Sequence, residues 1–417
     1  MFRYPVPLLV STLLALPALA QQTPASQPAG TSFSTEAKTQ APAPGDRAGR
    51  TPEAEKKDEQ GVLDRVVSPD RGTMTPRRVV EDDIDARILL YDKGPFRLQV
   101  GGLVQVQAAF YVGQDADLEQ FDPADAAGFR IRRARIGFAG ALYDDWHFFL
   151  ALDMRDVVVG GNEVLDARLA WTRFPWLSIA AGLDKIPFSA LNLQSSSRLE
   201  LIERPLTVQY LAPDRRVGAS LFGFFHGLEY AAGIYNGSDG VVQGNRMAGV
   251  AAVARLQYHI FGRPQEFVPR PLRLALGGAF MYNNGAALTH LRAAGNLDLW
   301  VFYLRLQGEF IWESSSPKDD PTGGGTPETG DTTSWGAVGE LSGFVWPGWL
   351  QLAARFEYLK INERNPTMGN QMAMVGGLNF YIYEHHLKLM FNYQHRRELE
   401  GRTWDNDIAF AMLQGMF

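Results

Sequence analysis

From Phe96 onward, apolar residues recur at every second position for about ten residues at a time, the period of a strand with two unlike faces. Over 96 to 112, Leu98, Val100, Gly102, Val104, Val106, Ala108 and Phe110 share one side, and Arg97, Gln99, Gln105 and Gln107 share the other. The same phase returns downstream: Leu352, Ala354, Phe356 and Tyr358 oppose Gln351, Arg355 and Glu357, and Leu387, Leu389, Phe391 and Tyr393 oppose Lys388, Asn392, Gln394 and Arg396. Sixteen segments follow this rule, over 96–112, 127–141, 145–155, 163–173, 176–185, 214–223, 226–236, 245–260, 270–283, 288–299, 300–313, 334–346, 349–361, 370–382, 385–396 and 404–417. The division near Trp300 is the least clearly punctuated. Alternation by itself leaves open which side faces inward, since a water-soluble barrel would turn the apolar side in.

The connections carry the orientation. Those after odd-numbered strands are mostly long and polar, at 113–126, 156–162, 186–213, 237–244, 314–333, 362–369 and 397–403. Those after even-numbered strands are mostly tight, as at Tyr143-Asp144-Asp145, Phe174-Pro175, Phe225-His226, Pro347-Gly348 and Glu384-His385. Two depart from the rule, the long 261–269 and the short 284–287. Long loops at one end and turns at the other are the layout of a bacterial outer-membrane barrel, so the expected fold is an all-β, 16-stranded antiparallel transmembrane β-barrel with its apolar side toward lipid.

Composition agrees and narrows the alternatives. Forty-two glycines and 12% aromatic residues suit strands and turns. Arg3, the apolar run to Leu16 and Ala18-Leu19-Ala20 read as a secretory signal peptide cleaved after Ala20, too short to span a bilayer, which needs about 20 apolar residues. Residues 21–95 then read as a disordered, charged N-terminal extension, rich in Pro, Ala, Gln, Ser and Thr as far as about residue 52, and 96–417 as the barrel. The absence of cysteine removes thiolate metal sites and cysteine nucleophiles, and a net charge of −6 gives no reason to expect a nucleic-acid partner. The seven histidines are scattered, with no metal-ligand spacing beyond the adjacent His385-His386 pair in a turn. No hydrolase, zinc-protease or phosphate-loop motif occurs, so neither catalysis nor a cofactor or metal is expected.

Strand number sets the bore. About 8 strands leave an interior filled by side chains, whereas 16 to 18 leave an aqueous channel. Strand parity alone puts Arg133, Arg135, Arg168, Arg255, Arg305 and Arg355 on the wet side, balanced against Asp166, Glu229, Glu309 and Glu357. Arg130 and Arg132 have the opposite parity to Arg133 and Arg135, so either a bulge or a place at the rim must keep one pair out of lipid. The longest connection, 186–213, carries Phe188, Leu191, Leu193, Leu199, Leu201, Ile202 and Tyr210. So apolar a loop is expected to fold into the barrel and narrow it, with a surface cap or a contact to a neighbouring subunit as the alternative.

Phe129 to Phe138 (FRIRRARIGF), Tyr143 to Trp146, Leu165 to Arg168 and Leu201 to Pro205 resemble, in order and spacing, the phosphate-selective porins O and P. The resemblance implies a trimeric 16-stranded outer-membrane porin with an arginine-lined pore that binds anions at a constriction. Residue by residue it assigns the adjacent arginine pair to Arg132 and Arg133, and the pore aspartate to Asp166. It puts the family's further pore arginine at Leu103 and the constriction-loop lysines at Asn192 and Ser197, with Arg198 the nearest cation. Loss of those cations removes charge-assisted hydrogen bonds to an oxyanion and argues against high phosphate selectivity. The expected constriction loop therefore includes Phe188, Asn192, Ser197, Glu203 and Arg204. The expected function is passive diffusion of small hydrophilic solutes, anions among them, by a homotrimer in outer-membrane lipid. Phe417, a terminal aromatic, resembles the signal read by the barrel-assembly machinery. A structural barrel that anchors a periplasmic N-terminal tether is the alternative.

Overall fold

A computed structural model describes residues 84, 87–112, 127–155, 164–237, 249–261, 267, 270–285, 288–318, 330–361, 370–400, 403, 405 and 407–417. The proposed leader and most of the 21–95 extension lie outside these residues, as does most of the long 261–269 connection. Seventeen strands are present among them. They are β1 (Ile88–Lys93), β2 (Phe96–Tyr111), β3 (Gly128–Leu142), β4 (Trp146–Asp153), β5 (Val164–Phe174) and β6 (Leu177–Lys185). After a long loop come β7 (Arg215–Phe225), β8 (Leu228–Asn236), β9 (Val250–His259), β10 (Arg270–Asn284), β11 (Leu288–Phe302) and β12 (Leu304–Pro317). The last five are β13 (Thr332–Trp346), β14 (Leu350–Lys360), β15 (Gln371–Tyr383), β16 (Leu387–Glu398) and β17 (Ile408–Met416).

Strands β2 to β17 pair antiparallel with their sequence neighbours, and β17 returns to β2 from Ile408↔Tyr111 to Met416↔Leu103. The sixteen expected segments are these sixteen strands, closed into a barrel. Closure leaves no unpaired edge, a requirement where no water is available to bond a free backbone group.

Two boundaries differ from the expectation. The break placed at Trp300 falls at Tyr303, where Phe302 takes φ 54° and lets the chain reverse without glycine or proline to mark it. The sheet also begins upstream of Phe96, inside the segment read as extension. Strand β1 pairs with β2 from Ile88↔Val100 to Lys93↔Phe96, on the same edge that β17 occupies higher up. Phe417 exchanges hydrogen bonds with Gly102, at 2.8 and 3.0 Å, so β1 continues the wall where the C-terminus stops.

Side-chain burial resolves the orientation. Along β14, Leu352 and Phe356 are exposed while Gln351, Arg355 and Glu357 are buried. Along β16, Phe391 and Tyr393 are exposed while Lys388, Asn392, Gln394 and Arg396 are buried. A water-soluble barrel would have the reverse. The short turns meet the geometry that twisted hairpins need, with positive φ at Tyr143 and Asp144, at His226 and Gly227, and at Gly348.

The apolar exterior generates a prediction. Phe356→Arg, on the outward face of β14, is expected to destabilise the folded barrel by about 2 to 4 kcal/mol if it lies near the bilayer midplane. Denaturant unfolding in lipid vesicles reads this directly; an unchanged midpoint would be inconsistent with a lipid-facing Phe356.

Candidate functional site

The connection from β6 to β7, residues 186–214, lies inside the barrel. Two short helices, α1 (Ala190–Leu193) and α2 (Leu206–Leu211), are its only regular structure. Its apolar side chains pack on the inner wall: Ile186, Phe188, Leu206 and Leu211 join Val253, Met281 and Leu359 in one cluster, and Ile202 joins Met390 and Met412 in another. Of the two expectations, a loop folded inward and a surface cap, the first describes these residues.

A loop with little secondary structure, enclosed by protein, must find partners for its backbone groups. The inward polar residues of the wall supply them. Glu309 on β12 accepts from the Ser189 hydroxyl at 2.7 Å and from the Ala190 and Leu191 amides at 2.6 and 3.2 Å, satisfying the start of α1. Glu357 on β14 accepts from the Leu206 amide at 2.5 Å, at the start of α2. Asn392 accepts from the Ile202 amide at 2.7 Å. Lys388 donates to the Leu199 carbonyl at 2.9 Å, Asn379 to that of Glu200 at 2.7 Å, and Gln414 to that of Ser197 at 3.0 Å. Arg255 donates to the Phe188 carbonyl and Arg355 to the Glu203 carbonyl, both at 2.8 Å. The expected charge balance between Arg255, Arg355, Glu309 and Glu357 is thus also a scaffold for the loop.

The basic stripe of β3 faces the loop. Between Gln105↔Arg133 and Val106↔Ile131 the β2–β3 register shifts by one residue, and Arg132 is the extra residue. This bulge reverses the side-chain parity, so Arg130, Arg132, Arg133 and Arg135 all point inward. Glu203 of the loop reaches into this stripe. Arg132 holds it in a bidentate pair, both contacts 2.8 Å, and Arg130 approaches it at 3.3 Å. Burial pushes the Glu203 carboxyl up, and the Arg132 charge and hydrogen bond, with Arg133 and Arg130 nearby, more than reverse this to hold it at about 2. Arg133 donates to Gln105 at 2.7 Å, and Arg135 bridges Asp153 at 2.9 Å and the Ser196 hydroxyl at 2.8 Å.

The other candidates are distributed round the wall. Arg168 faces Asp184 at 3.3 Å, and Asp166 accepts from Arg215 at 2.9 Å. Arg305 holds Asp298 in a bidentate pair, 3.0 and 3.2 Å, and reaches Glu200 of the loop at 3.2 Å. Asn192 donates to the Pro213 carbonyl at 3.1 Å, Arg204 to that of Gln194 at 2.6 Å, and the Ser197 hydroxyl bonds that of Ser195 at 2.7 Å, so these three tie the loop to itself. Arg198 is half-buried in the same loop, its amide donating to the Ser195 carbonyl at 3.1 Å. A small cavity remains where the loop meets Gln307, Glu340 and Arg355. Sequence reasoning did not single out Gln105, Arg215, Asn379 or Gln414 as site residues; all but Arg215 carry their signal only as polar residues at inward strand parity.

The family model for the phosphate-selective porins O and P matches residues 104–265 and 334–417. Solved structures share the architecture at low identity. The anion-selective porin from Comamonas acidovorans is 12% identical, over 77% of this chain and 100% of its own, with a TM-score of 0.54. Salmonella typhi OmpF, in complex with daunomycin, is 13% identical over 79% and 100%, with a TM-score of 0.55. The outer-membrane channel DcaP of Acinetobacter baumannii is 11% identical over 78% and 99%, with a TM-score of 0.53. No curated protein matches the chain in sequence. A closed sixteen-stranded wall with its apolar side outward, an inward-folded loop facing an arginine stripe and the family match over most of the barrel together make this chain a member of the phosphate-selective porin O and P family, an outer-membrane porin.

Proposed function

We propose that this porin passes small hydrophilic anions through a constriction formed between the 186–214 loop and the β3 arginines, with weak rather than high selectivity for phosphate. The observation that carries this reading is the ratio of charges around Glu203: one carboxylate faces Arg130 and Arg132 directly, with Arg133 and Arg204 close by. A passage walled by low-dielectric protein and lined with excess positive charge raises the local concentration of anions. Leu103, Asn192 and Ser197 supply no cation, and the arginines of the wall already bond carboxylates or loop carbonyls. Both facts favour an attractive potential over a tight oxyanion site.

The working unit we propose is a homotrimer, as in the trimer form of Vibrio cholerae OmpT, which aligns with a TM-score of 0.50 at 11% identity. Secretion would use a leader over 1–20, and the barrel-assembly machinery would read the C-terminal strand ending at Phe417. The hydrogen bonds of Phe417 to Gly102 support that role, because they make the last residue part of the closing seam.

Three measurements test the reading. Purified protein in planar bilayers is expected to show unitary conductance steps; a folded barrel that stays silent would favour an anchoring role instead. Arg133→Glu is expected to lower the chloride over potassium permeability ratio, read as a shift in reversal potential under a salt gradient, and a ratio equal to that of wild type would remove Arg133 from the passage. The Glu203 contact predicts an acid limit. A carboxyl held at about 2, below its usual 4.5, contributes stability that is complete above 4.5 and is lost as pH falls toward 2. Current noise is therefore expected to rise only below about pH 4.5 as the loop loosens, and Glu203→Gln is expected to show the same noise at neutral pH. Quiet Glu203→Gln channels would contradict the proposed clamp.

A further inference from the structure

Two residues that precede the strands of the ring are found inside it. Ile84 is fully buried against Leu103, Ala139, Phe149 and Ala151, which project inward from β2, β3 and β4. Their inward direction follows from register: Leu103 is opposite Arg135, which reaches the loop, and Ala139 is opposite Phe149. Room for Ile84 depends on a missing side chain, since a Cβ at Gly137 would come within 2.9 Å of the Ile84 Cδ1. Three residues later Arg87 turns back over this pocket. Its Nη2 donates to the Ile84 carbonyl at 3.0 Å, and its guanidinium carbon lies 5.0 Å from the centre of the Phe149 ring. The Arg168 guanidinium lies on the same ring at 4.6 Å. The chain then enters the wall at Ile88, beneath Phe417.

We propose that Arg87 is a pore-lining cation, delivered from outside the barrel strands and held in place by Ile84 and Phe149, which together with Arg168 sets the charge preference of the passage on the periplasmic side of the constriction loop. The level is fixed by the strands. Phe149 and Ala139 stand between the Tyr143 turn and the Arg135 contact to Ser196, so Arg87 sits between the periplasmic mouth and the loop. An aromatic face attracts a guanidinium electrostatically, and here it holds two of like charge at one place on the wall. Among the described residues, Asp184 faces Arg168 at 3.3 Å and Asp153 faces Arg135 at 2.9 Å. Ile84 acts as the peg. Its burial ties the segment to the wall, which keeps the Arg87 charge at a fixed height instead of sweeping the mouth.

This inference rests on the pore reading, and one set of recordings separates the two. The chain has no cysteine, so Arg87→Cys introduces a single thiol. In channels from this variant, a negatively charged methanethiosulfonate reagent added on the periplasmic side forms a disulfide with Cys sulfur and releases sulfinate. It is expected to reduce chloride over potassium permeability further, while a positively charged reagent restores it. Arg87→Gln is expected to lower that ratio about two-fold, and Arg87→Lys to keep it near wild type. Conducting wild-type channels together with Arg87→Cys channels whose current neither reagent changes overturn the Arg87 proposal and leave the porin reading standing. An equal loss in Arg87→Lys and Arg87→Gln also overturns it, because it would mark a packing role. Absence of wild-type conductance would instead overturn the porin reading itself. If Arg87→Gln does not fold, Ile84→Ala takes its place. Releasing the peg is then expected to lower the ratio in the same direction, and an unchanged ratio counts against the proposal.

Discussion

A strand in hydrocarbon has no water to bond its N–H and C=O groups, and each one left open costs several kcal/mol. Here the β17–β2 pairing answers that constraint for the wall, because it turns a sheet with two edges into a ring with none. Everything else in the protein follows from having closed the ring. Closure separates the two faces of each strand into different solvents, and the exposed Phe391 and Tyr393 beside buried Asn392 and Gln394 on β16 are the direct result.

The same constraint reappears on a smaller scale inside the lumen. Residues 186–214 run between the walls with only two short helices, so their amides and carbonyls must be bonded largely by groups outside regular secondary structure. The wall lends side chains for the purpose. Glu309 and Glu357 serve the helix starts, and Asn379, Lys388, Asn392 and Gln414 serve the stretch between. Apolar contacts from Phe188 and Ile202 supply the burial that makes the inward position favourable. Charged groups that look like pore lining in the sequence therefore divide between two tasks, and Arg355 does both, pairing with Glu357 at 3.3 Å while donating to the loop at the Glu203 carbonyl.

Much of the wall was legible because strand alternation is a local signal. All sixteen strands of the ring can be read from period two, and the turn at Tyr303 is displaced only because nothing between Trp300 and Leu304 punctuates the chain. Strand β1 escaped notice for a related reason. Its ILLYDK stretch is uniformly exposed, so it carries no alternation to detect. The site was less legible. Opposed parity in FRIRRARIGF shows that a bulge or a rim position is needed, yet only the register with β2 locates the bulge at Arg132. The partners of Glu203, Glu309 and Glu357 are distant in sequence or bring together unrelated strands, and no periodicity encodes such meetings.

The shared edge of β2 carries one more implication. The last residue and the first strand dock there in a single line, Phe417 against Gly102 and Ile88 against Val100, two positions apart along β2. That strand is a seam on which β1 takes up the line where β17 leaves it. Topologically, the cylinder has no natural beginning. A barrel joined from β17 directly into β1 and opened at another loop would trace the same ring of strands.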